Sequence, residues 1–184
     1  MRIIIAWLFA VAACAQTPLA PGLEPVWDMA VILQEIGNET ARLLPLLDLE
    51  NVPGWISQGA SDTYVAQLQS CKDQARAISI EAGALSKNPE KLSAGLQLFL
   101  RFDGLDTMLS SLEEATRKYQ NPDLAQKMAS TYAEGSANRG RFRSYLIRLA
   151  TEREHQFEVM DQETQRCRAA LMAQPPAKPT VKKK

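Results

Sequence analysis

The sequence predicts an all-α fold: an up-and-down antiparallel bundle of about four helices, the last one long and kinked or broken near Gly135–Gly140. Three observations predict it. Along most of the chain apolar residues recur at alternating steps of three and four, the spacing of one face of a helix. Asn88-Pro89-Glu90 and Asn121-Pro122-Asp123 each read as a helix start: Asn suits the N-cap, Pro the first helical position, and the acid the positive end of the helix dipole. No segment has the β-branched alternation of a strand.

The first helix runs from Pro25 on the stripe Val26, Met29, Leu33, Ile36, Thr40, Leu43 and Leu47. Pro45 kinks or ends it, because a proline has no N–H to give the preceding turn. Glu50 to Trp55 then reads as a connection. A second helix, starting near Gly59–Ser61, carries Tyr64, Leu68, Cys71, Ala75, Ile78, Ala82 and Leu85 on one face. The third opens at Asn88, with a seam through Leu98, Phe102, Leu105, Leu109, Leu112, Thr116 and Tyr119, extended at the front by Leu92 and Leu96.

The fourth region opens at Asn121 and continues to about Gln174, which as one rod would span roughly 80 Å against roughly 45 Å for the third helix. Two glycines in Glu134–Gly140 offer a hinge that would relieve the mismatch. Beyond it Leu146, Ala150, Arg153, Phe157, Met160, Thr164, Cys167 and Leu171 alternate again, and this stripe is expected to face the core.

Both ends of the 184-residue chain differ from this middle. Residues 1–15, with Arg2 ahead of an apolar run from Ile3 to Ala13, read as a signal peptide, too short for a membrane span. Ala13-Cys14-Ala15 fits ordinary cleavage before Gln16. Val11-Ala12-Ala13-Cys14 fits a lipoprotein leader of residues 1–13, with Cys14 the lipidated residue. Both cuts imply export, to the periplasm or outside, or to a lipid anchor in the envelope. Residues 16–24 form a Pro-containing linker, 25–174 the bundle domain, and 175–184 a Pro/Lys-rich tail expected to be disordered.

Formal net charge is zero, yet setting aside Arg2, Lys178, Lys182, Lys183 and Lys184 leaves the acidic side chains in excess by five. A body of that sign is not a nucleic-acid-binding domain, so no nucleic-acid partner is expected. Removing Cys14 leaves Cys71 and Cys167, both on stripes assigned to the core and both expected in an oxidising compartment. A disulfide between them is predicted.

Signals for chemistry are sparse. His155, the single histidine, could join Glu154 and Glu158 as metal ligands, but it lies two positions from the seam residues Arg153 and Phe157, off the seam and among charges, and reads as solvated. Met29 and His155 supply residue types used as axial haem ligands in helical bundles, but no Cys-x-x-Cys-His attachment site accompanies them. A Gly-rich phosphate loop, a Gly-x-Ser-x-Gly elbow and a Cys–His pair are missing, and the acids Asp103, Asp106, Glu113 and Glu114 read as the wet faces of helices. Arg139, Arg141, Arg143 and Arg148 beside Phe142 and Tyr145 are expected to pair with acids on a neighbouring helix rather than to meet an anionic partner. Asn38-Glu39-Thr40 matches a glycosylation sequon, without consequence in a bacterium.

The expectation is therefore a non-enzymatic exported bundle without cofactor or metal, acting through protein contacts as an envelope scaffold or adaptor. The alternative is a bundle that holds a small apolar ligand or cofactor among its helices.

Overall fold

The computed structural model describes residues 25–173. The leader with Cys14, the linker to Glu24 and the tail from Gln174 lie outside the described residues. The chain is all-α: α1 Val26–Ala41, α2 Leu44–Leu47, α3 Val52–Ser57, α4 Thr63–Leu85, α5 Leu92–Tyr119, α6 Pro122–Glu134 and α7 Ser136–Ala173. Its long members pack antiparallel, with α6 and α7 forming one helix of 52 residues bent by 40° at position 135.

The ring closes in chain order. α1 packs on α4, α4 on α5, and α5 on both α6 and α7, which return against α1. Met29, Leu33, Ile36, Leu43 and Leu47 meet Cys71, Ile78 and Ala82, and Leu98, Leu105, Leu109 and Leu112 in one buried cluster. Those are the stripes the spacing assigned, and burying them is what drives helices of this length to pack. Gly37 permits a close approach of α1 to α4, since a Cβ there would stand 3.1 Å from the Ser79 carbonyl oxygen.

Punctuation differs from expectation in three places. α1 stops at Ala41, and Pro45 sits in the first turn of α2, where its missing N–H costs nothing. The stretch read as a connection contains α3: the Asn51 side chain accepts from Gly54 N at 3.2 Å, and Trp55 is buried beneath it. Asn121 caps α6 as expected, accepting from Asp123 N at 2.8 Å. Asn88 does not cap α5. Its N–H donates to Leu85 O at 2.9 Å and its carbonyl accepts from Lys91 at 3.2 Å, so the chain spends one more turn before α5 begins at Leu92.

The largest difference concerns α7. Phe142, Tyr145, Leu146 and Leu149 are buried, but every residue from Thr151 to Ala173 is exposed. That segment, about 34 Å long at 1.5 Å per residue, continues past the α4–α5 turn, and beyond Glu158 no other described helix lies beside it. The bend does not shorten the rod enough to keep it within the bundle.

The predicted disulfide is consequently absent: Cys71 and Cys167 are both free thiols, the first buried and the second exposed. The cause is topological. In an up-and-down ring the second and fourth long helices run parallel on a diagonal, not antiparallel as neighbours. Cys71, early in α4, lies within electrostatic reach of Tyr132 in α6. Cys167 is 35 residues further along the α6–α7 rod, roughly 50 Å away, far beyond the 7 Å between Cα atoms that a bridge allows.

Candidate functional site

Three places on the molecule gather chemistry. The first is the bend. Asn138 donates through its side-chain nitrogen to Glu35 Oε2 and Glu39 Oε1, both at 3.0 Å, and Arg42 pairs with Glu134 at 2.9 Å, so α1 and the residue that follows it hold both arms of the kinked rod. Gly135 leaves room for these side chains: a Cβ there would stand 2.6 Å from Glu39 Oε2 and 2.8 Å from Arg139 Nη1, so both side-chain ends would have to shift. These contacts fix the direction in which α7 leaves the bundle.

The second is a groove of about 270 Å³ between α5 and the bend, lined by Phe99, Asp103, Asp106, Tyr132, Arg139 and Arg143. Arg139 lies 3.9 Å over the Tyr132 ring and donates to the Tyr132 carbonyl at 2.9 Å; Arg143 lies 5.8 Å over Phe99. The arginine cluster of the sequence is thus divided. Phe142 and Tyr145 turn into the core, Arg139 and Arg143 lie on aromatic rings, and Arg141 is on the exposed side of α7. Burial is the main reason that the Tyr132 hydroxyl is held above its ordinary pKa, against the lowering effect of Arg139.

The third is the projecting end of α7. Phe157 (69 % exposed), Met160 (63 %) and Leu171 (67 %) stand on one face with Thr164 and Cys167. Successive members are three and four residues apart, so they form a single narrow seam. Its lower end is anchored: Arg153 donates to Glu90 at 3.3 Å, and Leu92 and Phe157 line one shallow depression beside the α4–α5 turn. The seam therefore continues the face of α7 on which Leu146 packs against Gly95. Sequence spacing found these residues and assigned them to the core. The length mismatch between the third and fourth helical regions was the signal that they had outrun it.

The remaining sequence candidates are not brought together. Met29 is fully buried between α1 and its neighbours, whereas His155 is exposed on projecting α7, so the two cannot ligate one haem. Among the described residues no group of three or more His, Cys, Asp or Glu side chains is placed to hold a metal ion, and no helix is long and apolar enough to cross a membrane. One buried carboxylate stands out inside the bundle. Removal from water raises Glu50 to about 7, against the opposing effects of the Thr116 hydroxyl and Lys72.

No protein-family model, curated protein or solved structure matches the chain.

Proposed function

We propose that this chain is an exported, non-enzymatic helical bundle that works by protein contact, as an envelope scaffold or adaptor. The observation that carries the reading is the unpartnered seam of Phe157, Met160, Thr164, Cys167 and Leu171 on the projecting end of α7. Scattered apolar side chains on a surface are ordinary, but a contiguous row at coiled-coil spacing marks an interaction site. Export rests on residues 1–15, and the overlap of cleavage and lipidation signals at Ala13-Cys14 leaves periplasmic, secreted and lipid-anchored forms as variants of one proposal.

A photoreactive side chain placed at position 157 in the native host tests it. The expected result is a crosslink to protein that the same group at Ile80, exposed on α4, does not give. Position 157 free of protein crosslinks would sink the reading.

The second reading, a bundle carrying a small ligand, draws on the groove where aromatic faces of Phe99 and Tyr132 meet Arg139 and Arg143. Mass spectrometry and absorption of protein purified from its host decide between them: a stoichiometric small molecule favours the groove, and protein alone favours the seam.

A further inference from the structure

Resting on the contact reading of α7, we infer that the seam pairs antiparallel with the same seam of a second copy of this chain, Met160 facing Leu171 and Thr164 facing Cys167 across the dimer. The heptad register follows from the spacing. Phe157, Thr164 and Leu171 occupy a positions and Met160 and Cys167 d positions, which places Asp161 and Arg168 at e and Glu163 and Ala170 at g.

Parallel pairing is blocked by the bundle itself. The seam points to the side of α7 on which its own α5 lies, as the contacts of Leu146 with Gly95 and of Arg153 with Glu90 establish. A parallel partner helix, followed towards its own bundle, would have to pass through the α4–α5 turn of the first copy. An antiparallel partner runs the other way and leaves that volume to the turn.

Charge then selects the register. In antiparallel coiled coils e positions face e and g positions face g. With Met160 opposite Leu171, Asp161 faces Arg168 of the second copy, twice by symmetry, and Glu163 faces the uncharged Ala170. Sliding by one heptad to place Met160 opposite Thr164 instead brings Asp161 onto its counterpart and Glu163 onto its counterpart, two like-charge contacts that offset the two Glu154–Arg168 pairs this slide would form. It also drives the end of each helix down to the level of the other copy's Arg153 and Glu90. One register therefore satisfies charge and space together. The interface is isologous, as a two-fold dimer requires. Only two heptads overlap, so the dimer is a weak one that assembles at high local concentration.

Sedimentation of the full chain under reducing conditions tests this, together with directed crosslinking. The mass is expected to approach twice that of the chain as concentration rises. Asp161→Arg is expected to return it to the monomer, and Asp161→Arg with Arg168→Asp to restore the dimer; both sites are exposed, so the fold is untouched. In a Cys167→Ser background, Met160→Cys and Leu171→Cys chains are expected to form a disulfide-linked dimer with oxidised glutathione only when mixed. Each chain gives up one thiol proton and one electron, the electron pair reducing glutathione disulfide to two thiols. A chain that stays monomeric at millimolar concentration overturns the inference, as does Met160→Cys crosslinking efficiently to itself, which would mark a parallel pair. A monomer whose position 157 still crosslinks a different protein overturns self-association and leaves the contact reading standing; a monomer with no crosslink at that position removes both.

Discussion

The side-chain oxygen of Gln120 accepts the indole N–H of Trp55 at 2.9 Å and, on the same atom, the backbone N–H of Asn51 at 2.8 Å. Its amide nitrogen donates to Leu49 O at 2.8 Å. One side chain just past the end of α5 thus satisfies three polar groups of the segment from Leu49 to Trp55. Gln120→Ala leaves the buried indole N–H unpaired, a change that costs about 1–3 kcal/mol. Gln120→Glu keeps the acceptor for Trp55 and Asn51 but sets a carboxylate oxygen against Leu49 O, so it is destabilising through that contact instead. Urea unfolding followed by tryptophan emission measures both; equal stability of Gln120→Ala and the parent would refute the role.

Glu50 makes stability fall with pH. Its carboxyl is at about 7 in the folded chain against an ordinary value of 4.5, so between those limits the unfolded state releases its proton first. Stability is retained below about pH 4.5 and lost progressively up to about pH 7, by on the order of 3 kcal/mol at most. Geometry agrees with a protonated group. Thr116 has one hydroxyl proton and two oxygen neighbours, Leu112 O at 2.7 Å and Glu50 Oε1 at 2.8 Å, and a protonated Glu50 supplies the second proton. Glu50→Gln is expected to gain on the parent between pH 5 and 8, read as the difference of their unfolding midpoints.

The two thiols separate by burial. Removal from water, reinforced by Glu113 and Glu50, pushes the Cys71 thiol up to about 12, and its side chain is enclosed. Cys167 is open to solvent. Alkylation of dilute native protein is expected to modify one thiol at once, located by peptide mass at Cys167, and the second only on unfolding. Two rapidly labelled thiols would contradict the buried position of Cys71, and none would contradict the exposure of Cys167.

Truncation after Gln156 removes no buried residue among those described. At dilutions where the chain is monomeric, the shortened protein is expected to unfold within about 0.5 kcal/mol of the full one. Truncation after Gly140 instead removes Phe142, Tyr145, Leu146 and Leu149 from the core and is expected to prevent folding. Circular dichroism melts distinguish the two outcomes.

Intact mass of the protein recovered from its host tests the proposed export and cleavage. A chain beginning at Gln16 without lipid is expected; a diacyl or triacyl mass on Cys14 would establish the lipoprotein form instead.

By itself the sequence determined the long helices and the apolar face of each. Steps of three and four are a local property of the helix, so Leu98, Leu105 and Leu112, or Cys71, Ala75 and Ile78, name their own buried stripe whatever packs against it. Asn121-Pro122 and the glycine at 135 are local signals too, and they mark a helix start and a bend where the structure has them. What only the tertiary structure decided is which stripe finds a partner. Phe142 and Phe157 look alike in the pattern, but the first packs edge-on to Phe102 and the second stands in solvent, because the α4–α5 turn ends the bundle between them. The same limit undid the predicted bridge: spacing says that Cys71 and Cys167 each lie on a stripe, while the parallel diagonal course of α4 and α7 sets them at opposite ends of the molecule. Periodicity fixes direction around a helix axis and carries no information on height along it, and height is settled by the order and length of the neighbouring helices.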